Sequence, residues 1–126
     1  MPVKLFDQTI NLLQRSLDLR TSRHQVLSHN IANVSTPDYS PKEIPFQKIL
    51  ERSVDPSSII HLVRTHPGHL SGGYEPGVEI ETLAQEVSLD EEMAKLAENN
   101  LKYQAGVQAL VKKIEALRIT LIEGGK

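Results

Sequence analysis

The chain contains no cysteine and no tryptophan, and its aromatics are only two Phe and three Tyr. Without cysteine, disulfides and thiolate metal sites are excluded. With so few large anchors, 126 residues are better spent on long helices than on a thick globule, and the length fits one domain. No apolar run approaches the roughly 20 residues of a membrane span. Met1-Pro2-Val3-Lys4-Leu5-Phe6-Asp7 lacks the apolar core and small-residue cleavage site of a secretory signal, which predicts export, if any, without a cleaved signal peptide.

Charge of one sign is also missing as a continuous feature. The net charge is −2. Residues 1–34 carry four basic and two acidic side chains, residues 35–87 four and eight, and residues 88–126 six and six. No basic stripe of the kind that neutralises phosphates is present, so nucleic acid is not an expected partner. Catalytic patterns are equally scarce. His61, His66 and His69 lack the i,i+4 spacing that sets two imidazoles on one helix face, so they are read as surface or turn residues. Ser28 and His29 point about 100° apart on a helix and cannot act as nucleophile and base. Asp90-Glu91-Glu92 is a charged first helical turn. No glycine-rich segment links a strand to a helix as a phosphate cradle does. The expectation is a non-enzymatic chain with no cofactor, no metal and no small-molecule substrate.

What the sequence does contain is periodicity at both ends. From Phe6, alternating steps of four and three reach Ile10, Leu13, Leu17, Arg20, His24, Leu27, Ile31 and Val34, and seven of these nine positions are apolar. Leu5, Leu12, Leu19 and Val26 form a flanking row at spacing seven. A helix over Lys4 to about Asn33 follows, roughly 45 Å long at about 1.5 Å per residue. The second half is more regular. Leu89, Met93, Leu96, Asn100, Tyr103, Val107, Leu110, Ile114, Leu117 and Leu121 form the a/d seam of a coiled coil, interrupted by Asn100 alone. Ser88 with Glu91 predicts a capping box, and Gly124-Gly125 a stop. Glu91–Lys95 and Glu98–Lys102 are expected i,i+4 pairs.

Residues 35–87 hold every proline except Pro2. Pro37, Pro41 and Pro45 forbid regular helix across them. A short helix at Phe46 to Arg52, a strand at Ile59 to Val63 and turns from Pro67 to Gly77 are the local expectations. The predicted fold class is mainly α: two long terminal helices pairing as a coiled-coil-like hairpin, parallel or antiparallel, around an irregular Pro/Gly-rich centre with room for a short β element. Residues 1–34, 35–87 and 88–126 are its N-terminal helix, motif with central loop, and C-terminal helix. Pairing one seam from each helix would leave Leu5, Leu12 and Leu19 open on one, and Leu101, Val111, Ile119 and Ile122 on the other. Rows of that length mark an interaction surface. Asn100 reads in two ways: as a polar seam residue that fixes register, or as a position facing solvent where the helices diverge.

The exit from the first helix reads Ser28-His29-Asn30-Ile31-Ala32-Asn33-Val34-Ser35-Thr36-Pro37-Asp38-Tyr39. It resembles the flagellar rod and hook family, whose pattern is Asn-Ile-Ala-Asn-x-x-Thr-Pro-Gly-Tyr after a long helix. Glu92 to Ala105, with Leu101-Lys102-Tyr103-Gln104, is similar to the family's C-terminal half and nearest to its proximal-rod branch, and Thr65 to Leu70 also looks familial. The short centre agrees, because distal-rod and hook relatives carry large insertions there. The resemblance implies a structural subunit of the bacterial flagellar basal body. It implies Asn30, Ile31, Ala32, Asn33, Thr36, Pro37 and Tyr39 as the assembly motif, and Leu13, Leu17 and Leu27 with the C-terminal seam as the packing surface. Expected partners are other rod subunits, copies of itself, and membrane-ring and export-gate proteins. The expected location is the periplasmic span of the rod, reached through type III export, with terminal helices partly disordered until docking. The rival readings are a soluble coiled-coil adaptor or secretion chaperone, and another axial subunit.

On physical grounds Asn33 is a candidate left-handed helix terminator, and Tyr39 can fold back to donate a hydrogen bond. Asp38 stands where the family pattern has Gly, at about 1 kcal/mol if that position needs φ > 0.

Overall fold

The computed structural model describes residues 2–54 and 78–124, with side chains at 8–52 and 78–124. The expected strand at Ile59 to Val63, the turns from Pro67 to Gly77, the three histidines His61, His66 and His69, the familial stretch Thr65 to Leu70, and the Leu5 side chain lie outside these residues. Five elements follow in order: α1 (Pro2–Ala32), β1 (Lys42–Glu43), α2 (Phe46–Val54), β2 (Glu81–Thr82) and α3 (Leu89–Glu123). The two long helices run where the periodicity placed them, and they pack against each other as a hairpin. Contacts that pair Leu17 with Gly106, Arg20 with Asn99, and Asn30 with Glu92 make that hairpin antiparallel.

α3 starts as its sequence dictates. The Ser88 hydroxyl accepts from the Glu91 amide at 3.5 Å, and Asp90, Glu91 and Glu92 fill the first turn, where the helix dipole favours negative charge. It stops at Gly124, whose N–H reaches the Thr120 carbonyl at 2.9 Å in right-handed geometry. α2 begins directly after Pro45, the last residue of the four-spaced proline series.

One apolar cluster lies where the middle segment folds over α1. Leu19 and Val26 on α1 bury against Ile44, with Phe46, Ile49, Val78 and Ile80 packed around them. Leu19, expected to stay open, is therefore closed by the chain's own middle segment, as is Val26 in the same row. Three prolines break the helix there without preventing short elements from folding back over α1. β1 and β2 pair antiparallel, Lys42 opposite Thr82 and Glu43 opposite Glu81. The ladder is extended by Leu83, whose amide donates to the Pro41 carbonyl at 2.8 Å. Arg20 lies 4.2 Å above the Phe46 ring centroid and joins α1 to α2 through a cation–π contact. Burial, with the like charge of Arg23, lowers the Arg20 pKa from its ordinary value. Among the described residues, no helix is long and apolar enough to cross a membrane.

Candidate functional site

The motif at the end of α1 folds into a hydrogen-bonded knot around Asn30, which is fully buried (0% exposed). An amide side chain has two donor hydrogens and two acceptor lone pairs. All four are used here. The Asn30 Nδ2 donates to the Lys42 carbonyl at 2.7 Å and to Glu92 Oε2 at 2.8 Å. Its Oδ1 accepts from the Lys42 amide at 2.9 Å and from the Tyr39 hydroxyl at 3.0 Å. One side chain thus ties the end of α1 to the following turn, to β1 and to the start of α3.

The chain reverses through a series of tight turns. The Asn33 amide still bonds to the His29 carbonyl at 3.1 Å, and its Nδ2 caps the same carbonyl at 2.8 Å. Thr36 donates its amide to the Asn33 carbonyl at 2.9 Å and its hydroxyl to Asn33 Oδ1 at 3.2 Å. These bonds hold Asn33 in ordinary helical space, so it is not the left-handed terminator. That step falls at Asp38, with φ 59°, the one non-glycine residue of positive φ among those described. Ile31 and Asn33 are half-buried, whereas Ala32, Thr36 and Pro37 are exposed.

Around Asn30 the charges alternate. Glu92 is 2% exposed, and its carboxylate meets Lys95 at 2.7 Å. Lys95 also approaches Glu43 at 3.8 Å, and Glu43 accepts from Arg23 at 2.8 Å. A buried carboxylate needs such partners, because stripping one from water unpaired costs several kcal/mol. Lys95 therefore pairs with Glu92 and Glu43 rather than with the expected Glu91. Glu98 and Lys102 do form the expected bridge, and that contact holds the Glu98 carboxyl below its ordinary pKa.

The a/d seam of α3 is only in part the line along which it meets α1. Leu96, Val107, Leu110 and Leu117 are half-buried, but Leu89, Met93, Asn100, Tyr103, Ile114 and Leu121 are exposed, Leu121 at 77%. On the α1 side, Leu13 and Leu17 are half-buried and Leu27 is buried. The buried asparagine is Asn99, whose Nδ2 donates to the Arg20 carbonyl at 2.9 Å. Asn99 and Asn100 point about 100° apart, so moving burial from one to the other turns the seam aside. The face presented to α1 contains Glu92, Asn99 and Gly106, a polar and small row at spacing seven that half-buried Lys113 continues in sequence. At Gly106 an added Cβ would stand 2.9 Å from Leu17 Cδ2, a measure of how closely the helices approach. Glu92, Lys95, Asn99, Gly106 and Glu43 escaped the sequence reading, which counted apolar positions. The repeated spacing of seven was the signal available. Leu101, Val111, Ile119 and Ile122 are exposed, so α3 offers a broad aliphatic surface that its own chain leaves uncovered.

Curated relatives align with this chain over most of its length. The flagellar basal body rod protein FlgB of Bacillus subtilis is 32% identical over 133 aligned residues, covering 98% of this chain and all of the relative. That of Escherichia coli is 30% identical, covering 94% and 96%. The chain belongs to the FlgB family. The FlgB of Borrelia hermsii is 29% identical over 80% of the chain. No family model matches the sequence. Membership of the FlgB family makes the chain a structural rod component of the flagellar basal body, and sets aside the adaptor and chaperone readings.

Proposed function

We propose that this FlgB-family chain is a subunit of the proximal rod, joining the membrane ring and export gate to the drive shaft without catalysing a reaction. It assembles helically through its terminal helices, with neighbouring rod subunits, copies of itself, and ring and gate proteins as partners. It reaches the periplasmic span through the flagellar type III route. The observation that carries this reading is the uncovered aliphatic strip of α3: Met93, Ile114, Ile119, Leu121 and Ile122 all lie at 52% exposure or more. Each such side chain buried by a neighbour contributes about 1.5–3 kcal/mol, so association outweighs solvation along the strip. Head-to-tail contacts that do not close on themselves build a helical tube.

The motif Asn30-Ile31-Ala32-Asn33 with Thr36, Pro37 and Tyr39 serves assembly indirectly, by holding α3 in place against α1. Ordering is graded. The knot end is folded in the free subunit, and the far part of α3 orders on docking, where its partners supply the binding energy. Hydrogen exchange on the dilute monomer should find slow amides near Glu92 to Asn99 and fast ones beyond Leu117, where every residue of α3 is exposed. Uniform strong protection through Leu121 would sink the coupled-ordering claim. The rod role is tested by deleting the gene in its own bacterium and imaging purified basal bodies. Rings without rods, restored by the intact gene, are expected; intact rotating flagella would overturn the assignment.

A further inference from the structure

The α1–α3 contact poses a registration problem. Its apolar part consists of half-buried aliphatic side chains at Leu13, Leu17, Leu96, Val107, Leu110 and Leu117, and such rows look much alike after a slide of seven residues, or about 10 Å. Dispersion and area burial distinguish such states weakly. Polar groups distinguish them strongly, because a mismatch leaves a buried donor or acceptor unsatisfied.

We infer that the row Glu92–Asn99–Gly106–Lys113 is a register code that fixes the height of α3 against α1. Every position in the row carries a different chemistry, and three meet matched sites on α1. Glu92 accepts from Asn30, Asn99 donates its Nδ2 to the Arg20 carbonyl while its Oδ1 stays buried without a hydrogen bond, and Gly106 admits Leu17. Moving α3 one heptad in one direction sets the Glu92 carboxylate against the Arg20 carbonyl, two acceptors face to face, and the Asn99 amide against Leu17. Moving it the other way leaves the Arg20 carbonyl facing Gly106, which has no donor side chain, and lays Lys113 over Leu17. Both slides also separate Glu92 from Asn30, whose other three bonds stay within its own turn and strand. The rival determinant is the linker to α3, which is anchored where the Leu83 amide meets Pro41.

For the consequence alone, this inference rests on the assembly reading above: register sets the height at which the open α3 strip presents Met93, Ile114 and Leu121 to a neighbour. The code itself is tested on the free subunit, so it stands or falls independently of the rod. The absence of native cysteine makes the test clean. Leu17→Cys with Gly106→Cys reports the observed register, and Leu17→Cys with Lys113→Cys reports a one-heptad slide, each trapped by a short bis-maleimide. With Glu92 and Asn99, the two hydrogen-bonding positions of the code, left in place, the first pair should cross-link and the second should not. Combining Glu92→Leu with Asn99→Leu removes both polar matches while adding apolar surface. The ratio of slid to observed cross-link should then rise at least about tenfold, with circular dichroism showing retained helix. An unchanged ratio would overturn the code and assign register to the linker. Collapse of helicity would also overturn it, making the row a stability element.

Discussion

α3 is one helix with two kinds of surroundings. Its first three turns are held by specific polar contacts at Glu92, Lys95 and Asn99. From Leu101 to Glu123 it carries six exposed aliphatic side chains, Leu101, Val111, Ile114, Ile119, Leu121 and Ile122, set among exposed polar ones. The difference is one of partners. The chain supplies hydrogen bonds where it must define its own shape and leaves apolar area where another molecule is to contribute. A polar site is costly to leave half-made, which makes it a poor docking surface and a good internal fastener.

That contrast can be broken most severely at its centre. Asn30→Ala removes one partner each from the buried Glu92 carboxylate and the Tyr39 hydroxyl and two from the Lys42 main chain, and should lower stability by about 2–4 kcal/mol in urea unfolding. A loss below about 1 kcal/mol would show that the knot is not the fastener described. Asp38→Gly acts at the same end with opposite sign. Relieving the φ of 59° should stabilise by about 0.5–1 kcal/mol, and a destabilised variant would mean that the Asp side chain contributes more than the strain costs.

At the open end, Ile114→Asp replaces a side chain that is 53% exposed. The monomer should change by less than about 0.5 kcal/mol, whereas swimming in soft agar should be abolished. Normal swimming would remove Ile114 from the assembly surface. The smallest effect belongs to Glu98, which sits between the two regions. Its folded pKa is depressed, chiefly by the hydrogen bond from Lys102. Its contribution is therefore present above the unfolded carboxylate value of about 4.3 and is lost as pH falls through the folded value. Glu98→Gln should flatten the acid limb of stability against pH slightly. An identical acid limb would mean that solvent screens the pair entirely.

Much of this was legible in the residues. Ser88 and the acidic first turn marked the start of α3, the proline series placed α2 after Pro45, and Asp38 stood out against the glycine of the family pattern. The hairpin followed from two apolar periodicities. The phase of α3 did not, because an apolar count cannot see that Glu92 and Asn99 find matched partners 62 and 79 residues away in sequence. β1 and β2 have two residues each, too few for an alternating pattern to register. Leu19 looked like part of an open stripe because nothing local announces that the middle segment returns to bury it with Ile44.

The alternation Arg23–Glu43–Lys95–Glu92 has a mechanical meaning beyond stability. Two helices joined only by aliphatic contact can roll about their axes, like dowels lying side by side. Here α3 is fastened to α1 through Asn30 and, on a separate bearing, to β1 through Lys95 and Glu43. Two attachments that are not collinear with the helix axis remove the rolling freedom. A twisting load applied to the outer face of α3 is then passed to the whole subunit instead of being spent in rotation of one helix.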